Sequence, residues 1–222
     1  MPERIWVILA GGEWCPLHRL QPLLNSATWV VACDGALNLA HERGIDVNVV
    51  LGDMDSVGAE ELKTHIKKGG EVQKLSGQND NDLAKALRQA AANDVERCVV
   101  VGATGGDLHH AWANLLECSR APMEVECLGP LEVHRFIKPS KKTSIEIELG
   151  SVFSIFTLSE ARGVFLHGAE WELNGTTLGA SSRGLHNRAT ETSIEIEFEA
   201  GQLFVLHGYF DDLGRKERSM AE

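Results

Sequence analysis

The stretch that decides the fold spans residues 47–56 and reads Val-Asn-Val-Val-Leu-Gly-Asp-Met-Asp-Ser. Its first half is rich in β-branched residues and is typical of a strand, and the glycine and carboxylates that follow are typical of a loop. A short apolar run that ends in such a loop favours a strand that is buried on both faces, as in parallel sheets. A parallel α/β sheet is therefore our starting hypothesis.

The rest of the first half repeats this pattern. Strands are predicted at residues 5–10, 28–33, 47–51, 72–75 and 97–101, and helices at residues 17–24, 37–43, 60–68, 83–92 and 111–118. This alternation predicts βαβ units and a mainly parallel sheet with helices on both faces. Ligands of such sheets bind at the carboxyl ends of the strands, so we expect the functional loops there.

The second half of the sequence shows no convincing helix after about residue 139. Short strands are predicted at residues 144–149, 154–158, 164–167, 171–173, 193–198 and 202–207. This spacing favours a smaller all-β sandwich, so we predict two domains, at residues 1–138 and 139–222.

One pentapeptide, Ser-Ile-Glu-Ile-Glu, occurs twice in the second half, at residues 144–148 and 193–197. Isoleucine and glutamate alternate with a period of two, which predicts strands with Ile facing inward and Glu facing outward. A true internal repeat is the alternative interpretation.

The composition excludes several classes of protein. The chain has 222 residues, of which 43% are hydrophobic, and a net charge of −11. A protein that binds duplex nucleic acid needs a basic face to displace phosphate counterions, and an anionic membrane would repel this chain. No apolar run approaches the ~20 residues that span a bilayer. Five cysteines without a C-x-x-C pair indicate reduced thiols, so we expect a cytoplasmic protein without nucleic-acid or membrane partners.

Carboxylates in two loops point to a divalent cation. Asp53 and Asp55 directly follow a predicted strand, and Asp82 lies in the polar run that opens the fourth predicted helix. Asp82 and Lys85 are three residues apart and share one face of that helix start, beside its free backbone N–H groups. Hard cations prefer such oxygen ligands, so this set favours a Mg²⁺–polyphosphate site. Read separately, each segment also fits a simpler role, as a solvated acidic turn or as a helix cap with a surface ion pair.

Two further loops follow predicted strands. In residues 34–38, Asp34 fits either a helix cap or a ligand contact, and Asn38 lies close behind it. In residues 102–110, Gly105 and Gly106 let backbone N–H groups approach an anion. This loop matches neither the dinucleotide fingerprint nor the P-loop, and we expect at least one of its two adjacent histidines to be structural.

Taken together, these segments resemble the thiamine pyrophosphokinases. The resemblance rests on the order and spacing of Asp34-Gly35 with Asn38, Gly52-Asp53-Met54-Asp55-Ser56, Gln78 with Asn81, Asp82 and Lys85, and Gly105-Gly106 with His110 and Asn114. It extends into the second half through residues 163–171 and 184–187. It implies an α/β nucleotide domain followed by a β-sandwich, a homodimer, Mg²⁺, and transfer of a diphosphate from ATP to thiamine.

The resemblance also implies roles for individual residues. Asp53, Asp55 and Asp82 match positions that hold Mg²⁺, and His109 stands where the family has an acidic residue of the metal site. Gln78, Asn81 and Lys85 match positions near the nucleotide and its phosphates. Trp171 matches an aromatic residue that stacks on thiamine, and His186 and Asn187 lie in a segment that lines the same pocket.

Some positions depart from the family pattern. Asp107 replaces an arginine, His109 replaces an acid, and Glu170 replaces a lysine. These departures leave two alternatives to a thiamine pyrophosphokinase open. One is a related pyrophosphotransferase with a different small alcohol as acceptor, and the other is a protein that binds nucleotide or thiamine without catalysis.

Overall fold

The computed structural model describes residues 3–75 and 80–209. The chain divides into two compact units between Pro130 and Leu131, here called unit 1 and unit 2. The boundary predicted from the sequence, after residue 138, lies just beyond the first strand of unit 2. The roles predicted for the two domains stay predictions.

The described residues of unit 1 form six strands and five helices. The strands are β1 (Ile5–Leu9), β2 (Trp29–Cys33), β3 (Val49–Gly52), β4 (Glu71–Lys74), β5 (Arg97–Val101) and β6 (Glu124–Leu128). They lie in the order β6-β5-β1-β2-β3-β4, and every pair of neighbours in this row is parallel. The central strands are buried along nearly their whole length, because a parallel sheet has no solvated face. The predicted α/β fold is confirmed, whereas helical cover on both faces stays a prediction.

The helices of unit 1 follow the predicted positions closely. They are α1 (Leu17–Ser26), α2 (Ala36–Glu42), α3 (Ala59–Lys67), α4 (Asp82–Ala92) and α5 (Leu108–Arg120). Strand β6 was not predicted, because its sequence Glu-Val-Glu-Cys-Leu carries two acidic residues. Glu126 is nevertheless buried in the sheet, since Arg97 of the neighbouring strand donates a hydrogen bond to it at 2.5 Å.

Among its described residues, unit 2 contains nine strands and no helix. They are β7 (Glu132–Ile137), β8 (Thr143–Glu146), β9 (Val152–Phe156), β10 (Glu160–His167), β11 (Leu173–Gly179), β12 (Asn187–Arg188), β13 (Ser193–Glu197), β14 (Ala200–Gly201) and β15 (Leu203–Gly208). Two antiparallel rows, β12-β9-β15-β7 and β11-β10-β13-β8, contribute side chains to one buried apolar cluster. The all-β character of this half is thus confirmed, and the sandwich geometry stays a prediction.

One strand of unit 2 was placed wrongly. The prediction put a strand at residues 171–173, but β11 begins at Leu173 and continues to Gly179. Its sequence Leu-Asn-Gly-Thr-Thr-Leu-Gly contains an Asn-Gly pair, which is a strong turn signal in isolation. Pairing with β10 overrides this local preference and includes two register shifts.

The two copies of the pentapeptide pair with each other. Strands β8 and β13 run antiparallel, with Ile194 opposite Ile145 and Ser193 opposite Glu146. All four isoleucines of the two copies are buried, whereas Glu146, Glu148 and Glu197 are exposed. The alternation predicted from the sequence is confirmed.

Within the described part of the chain, no helix is both long and apolar enough to cross a membrane.

Candidate functional site

The loops singled out in the sequence meet in one cleft of unit 1. The cleft has a volume of about 530 Å³ and lies at the carboxyl ends of the parallel strands. Five of the predicted site residues line it, namely Asp53, Asn81, Asp82, Lys85 and Gly105. Loops that are far apart in sequence therefore supply one continuous surface.

Asp34 lies buried beneath this surface, directly after β2. Its side chain is only 5% exposed, and its Oδ2 accepts a hydrogen bond from the Ser56 backbone N–H at 3.2 Å. Its Oδ1 is buried without a hydrogen-bond partner among the described residues. Burial raises the pKa of Asp34, the neighbouring carboxylates of Asp82 and Asp53 raise it further, and the Ser56 hydrogen bond opposes this shift.

Gly52 allows the side chains of Asp34 and Asp82 to lie close to the same backbone position. A Cβ atom on Gly52 would lie 2.9 Å from the Cβ of Asp34 and 3.2 Å from Oδ2 of Asp82. The first distance is shorter than real Cβ contacts allow, so a larger residue would displace Asp34. The glycine at the end of β3 is therefore required by packing, which the sequence pattern alone does not reveal.

The acidic loop after β3 presents one of its two carboxylates to the cleft. Asp53 is exposed and lines the cleft, and its Oδ1 accepts a hydrogen bond from the Asp55 backbone N–H at 3.1 Å. This hydrogen bond lowers the pKa of Asp53. Asp55 is also exposed but is not among the residues that line the cleft.

The first turn of α4 forms the opposite wall. Asn81 caps the helix, since its Oδ1 accepts a hydrogen bond from the Ala84 backbone N–H at 2.8 Å. Lys85 donates to Asp82 Oδ1 at 2.9 Å and is only 8% exposed. Among the described residues that line the cleft, Lys85 is the sole lysine or arginine, whereas several carboxylates face the same space.

The glycine-rich loop after β5 is packed against the loop after β1. The backbone N–H of Gly12 donates to Gly102 O at 2.9 Å, and that of Glu13 donates to Thr104 O at 2.9 Å. A Cβ atom on Gly12 would lie 2.3 Å from Thr104 O, so only glycine allows this approach. Gly105 has φ 79°, a left-handed conformation that also favours glycine.

Two of the departures from the family pattern, Asp107 and His109, lie at the start of α5. Asp107 is the N-cap residue of this helix, because its Oδ1 accepts a hydrogen bond from the His110 backbone N–H at 3.0 Å. Its carboxylate thus has a structural partner in addition to facing the cleft. His110 lines the cleft, and His109 is exposed elsewhere.

Several predicted residues lie outside the cleft lining. Asn38 and Gly106 do not line it, and neither do Asp55 and His109. Gln78 lies outside the described residues. Within the described ranges, no three His, Cys, Asp or Glu side chains are arranged around a common metal position. The roles predicted for these individual residues therefore stay predictions.

The cleft also contains residues that the sequence analysis did not assign to it. They include Gly11, Gly12 and Cys33, and also Ser56 and Asn114, which belong to the family pattern but had no assigned role. The Gly-Gly pair directly after the first strand is a signal that could have identified this loop. Cys33 carries no such signal, and burial together with Asp82 and Asp34 raises the pKa of its thiol well above the ordinary value, so it stays protonated.

A second pocket lies within unit 2 and contains two of the predicted residues. It has a volume of about 320 Å³ and is lined by Trp171 and Asn187 together with Ile155, Glu172, Leu173, Leu178, Arg183, Gly184 and Leu185. The Trp171 backbone N–H donates to Asn187 Oδ1 at 3.1 Å, and Asn187 Nδ2 donates to Trp171 O at 2.8 Å. Asn187 is buried, whereas the Trp171 side chain is 58% exposed.

His186 lies between two residues that line this pocket, Leu185 and Asn187, but does not line it itself. Its backbone N–H donates to Ser154 Oγ at 3.0 Å, and its φ of 55° is left-handed. The prediction that His186 contacts a ligand stays a prediction.

Comparison with known proteins shows what this chain is similar to. Residues 20–125 match the family model described as the catalytic domain of thiamin pyrophosphokinase. The structure is similar to that of thiamine pyrophosphokinase from Bacillus subtilis, with a TM-score of 0.79 and 20% sequence identity over 92% of this chain and 99% of that chain. No curated protein matches the sequence significantly.

Fungal structures give the same result. The thiamin pyrophosphokinase from Candida albicans has a TM-score of 0.76 at 12% identity, over 93% of this chain and 90% of that one. The yeast enzyme has a TM-score of 0.74 at 12% identity, over 95% and 88%. At such low identities the likeness concerns the fold.

Proposed function

We infer that this chain is a member of the thiamine pyrophosphokinase family, and we propose that it transfers a diphosphate group from ATP to thiamine, giving thiamine diphosphate and AMP. The match of residues 20–125 to the catalytic domain carries this proposal. That range contains the acidic loop after β3, the start of α4 and the glycine-rich loop, which together line the cleft.

The cleft of unit 1 suits a polyphosphate. Lys85 places a buried ammonium group at one wall, and the loop that contains Gly105 forms another. Transfer of a phosphoryl or diphosphoryl group depends mainly on positioning and on neutralising charge as the bond to the leaving group breaks. We propose that Lys85 and the glycine-rich loop bind the phosphates, and that the acceptor hydroxyl attacks the β-phosphorus in line.

The donor set of the cleft also fits Mg²⁺. The lining carboxylates would repel a polyphosphate unless a cation lay between them, and Lys85 alone does not balance their charge. Mg²⁺ takes one or two carboxylates together with phosphate oxygens, so it needs no preformed cage. We propose that Asp53 and Asp82 hold it, and the unpartnered Oδ1 of Asp34 adds a hard oxygen close to both. Bound Mg²⁺ would neutralise the phosphates during transfer.

For the acceptor, we propose the pocket of unit 2 around Trp171. Trp171 is 58% exposed, and two hydrogen bonds with the Asn187 side chain hold its backbone in place. The face of an indole attracts a cation, and the thiazolium ring of thiamine is one. The homodimer, the β-sandwich and the cytoplasmic location remain part of this proposal, and light scattering of the purified protein tests the dimer.

The deciding experiment combines the purified protein with ATP, Mg²⁺ and thiamine and measures AMP and thiamine diphosphate together. We expect equal amounts of both products, and none when Mg²⁺ is chelated. AMP formation that depends on another small alcohol, without thiamine diphosphate, would establish a changed acceptor. Binding of ATP or thiamine without any AMP would establish a protein that binds its ligands without catalysis.

A further inference from the structure

We propose that Asn114 is a positioning residue that holds the two walls of the nucleotide cleft at their working distance. The inference rests on the proposed function, since it concerns the binding of ATP in that cleft. Asn114 belongs to the sequence pattern that resembles the family, but the resemblance assigns no role to it.

The contacts of Asn114 join two segments that are far apart in sequence. Its Oδ1 accepts a hydrogen bond from Asn81 Nδ2 at 2.9 Å, and its Nδ2 donates one to Ala103 O at 3.0 Å. Asn81 begins α4, and Ala103 belongs to the glycine-rich loop after β5. One side chain of α5 therefore links the wall that carries Asp82 and Lys85 to the wall that carries Gly105.

The Asn81 end of this link has a second connection. Asn81 uses its Oδ1 to cap α4 through Ala84 and its Nδ2 to reach Asn114, so its amide orientation is fixed at both atoms. The cap and the link therefore depend on each other, and the orientation of the first turn of α4 depends on Asn114.

Burial makes this link costly to lose. Asn114 is 8% exposed, so water has little access to replace its two hydrogen bonds. An apolar residue of similar volume at this position would leave Asn81 Nδ2 and Ala103 O without their partners. We expect the first turn of α4 and the glycine-rich loop to loosen together in such a variant.

Hydrogen exchange without any ligand tests the link itself. The Ala84 N–H reports on the cap of α4, and the N–H groups of Gly12 and Glu13 report on the glycine-rich loop to which they donate. In Asn114→Leu we expect all three amides to exchange about tenfold faster, the change that about 1.4 kcal/mol produces. Amides of β6 should change only as much as the global stability does.

The variant Asn114→Asp tests the two hydrogen bonds of Asn114 separately. It also provides the test if Asn114→Leu folds poorly. Aspartate keeps the acceptor for Asn81 but loses the donor for Ala103. We expect faster exchange at Gly12 and Glu13 with little change at Ala84. Equal acceleration at all three amides, or at none, would overturn the proposal.

Calorimetry with ATP and Mg²⁺, in the absence of thiamine, tests the consequence for binding. We expect Asn114→Leu to bind ATP about tenfold more weakly, and the KM for thiamine to change less than the KM for ATP. The matched control is Cys118→Ala, a buried position one turn further along α5 that does not line the cleft. It should lower the melting temperature and leave ATP affinity unchanged.

The outcomes for the two proposals are distinguishable. A wild-type protein that binds ATP but makes no thiamine diphosphate would refute the proposed function, and the ratio of ATP affinities would still test Asn114. Unchanged ATP affinity and unchanged local exchange in Asn114→Leu would refute the role of Asn114, whatever the activity of the protein.

Discussion

Asp53 is an exposed carboxylate of the cleft lining, and its removal tests the metal assignment. We expect Asp53→Asn to lower kcat/KM by about 100-fold or more, since one of the charges that hold the cation would be lost. Product formation under saturating Mg²⁺ measures the effect. The control Asp46→Asn removes one exposed charge elsewhere in unit 1 and should leave activity intact. Turnover at the wild-type rate in Asp53→Asn would remove Asp53 from the site.

Replacing Asp34 should stabilise the folded protein even though it should lower activity. Its pKa is raised in the folded protein, so the folded state binds more protons than the unfolded state near this group. Stability therefore falls as the pH rises from the unfolded pKa to the folded one, and the penalty is complete above the folded pKa. We expect Asp34→Asn to raise the melting temperature at pH 8 and to lower activity.

The gain from Asp34→Asn should shrink as the pH falls toward the unfolded pKa of about 3.9. Thermal denaturation of both proteins in metal-free buffer across this range measures it. A difference in melting temperature that stays constant with pH would show that Asp34 carries no such penalty.

The sequence predicts which loops line the cleft, but not how their residues contact one another. Asp53, Asp82 and Lys85 were predictable because carboxylates and an ammonium group follow strand ends. The link between Asn81 and Asn114 spans 33 positions, and no local pattern encodes it. Asp107 stands where the family has an arginine, and its capping of α5 appears only in three dimensions.

Among the elements, the paired pentapeptides give the clearest contrast between two faces of one strand. Ile194 is fully buried in the core of unit 2, and Glu197 of the same strand is exposed. We expect Ile194→Ala to lower the free energy of unfolding by about 2–5 kcal/mol. Glu197→Ala should change it by less than about 0.5 kcal/mol. Chemical denaturation measures both, and similar values for the two variants would contradict the inward and outward assignment.

The elements that the sequence predicts well are those in which apolar residues recur with one clear spacing. Strands β1 to β5 are apolar runs or strand-like stretches between helices, and the helices carry a regular apolar face. Strands β6 and β7 escaped prediction because charged residues interrupt them, and contacts such as that between Arg97 and Glu126 make this tolerable only in the folded sheet. Strand β11 was misplaced because its turn signal is overridden by pairing with β10.

For the whole molecule, the net charge of −11 favours binding of the Mg²⁺ complex of ATP over binding of free ATP. An acidic protein with an acidic cleft repels free ATP, whereas the Mg²⁺ complex carries less negative charge and brings the cation that the carboxylates need. We expect Mg²⁺ with ATP to raise the melting temperature by several degrees at ATP concentrations well above Kd. ATP with a chelator should produce almost no shift.

Differential scanning fluorimetry measures this contrast, and Mg²⁺ alone is the control for stabilisation by the metal. An equal shift with ATP in the presence of the chelator would show that Lys85 and the backbone bind the nucleotide without a metal.

The close packing of the loops after β1 and β5 also determines how this protein can be recombined with its relatives. Gly12 lies against Thr104 O, and Gly102 lies against Ala10 O, so each loop is shaped to the backbone of the other. A chimera that takes only residues 102–106 from another family member would combine one loop with a partner loop that is not shaped to it. Exchange of residues 10–14 together with residues 102–106 preserves their packing, so the smallest transferable piece of this cleft consists of two segments from opposite ends of unit 1.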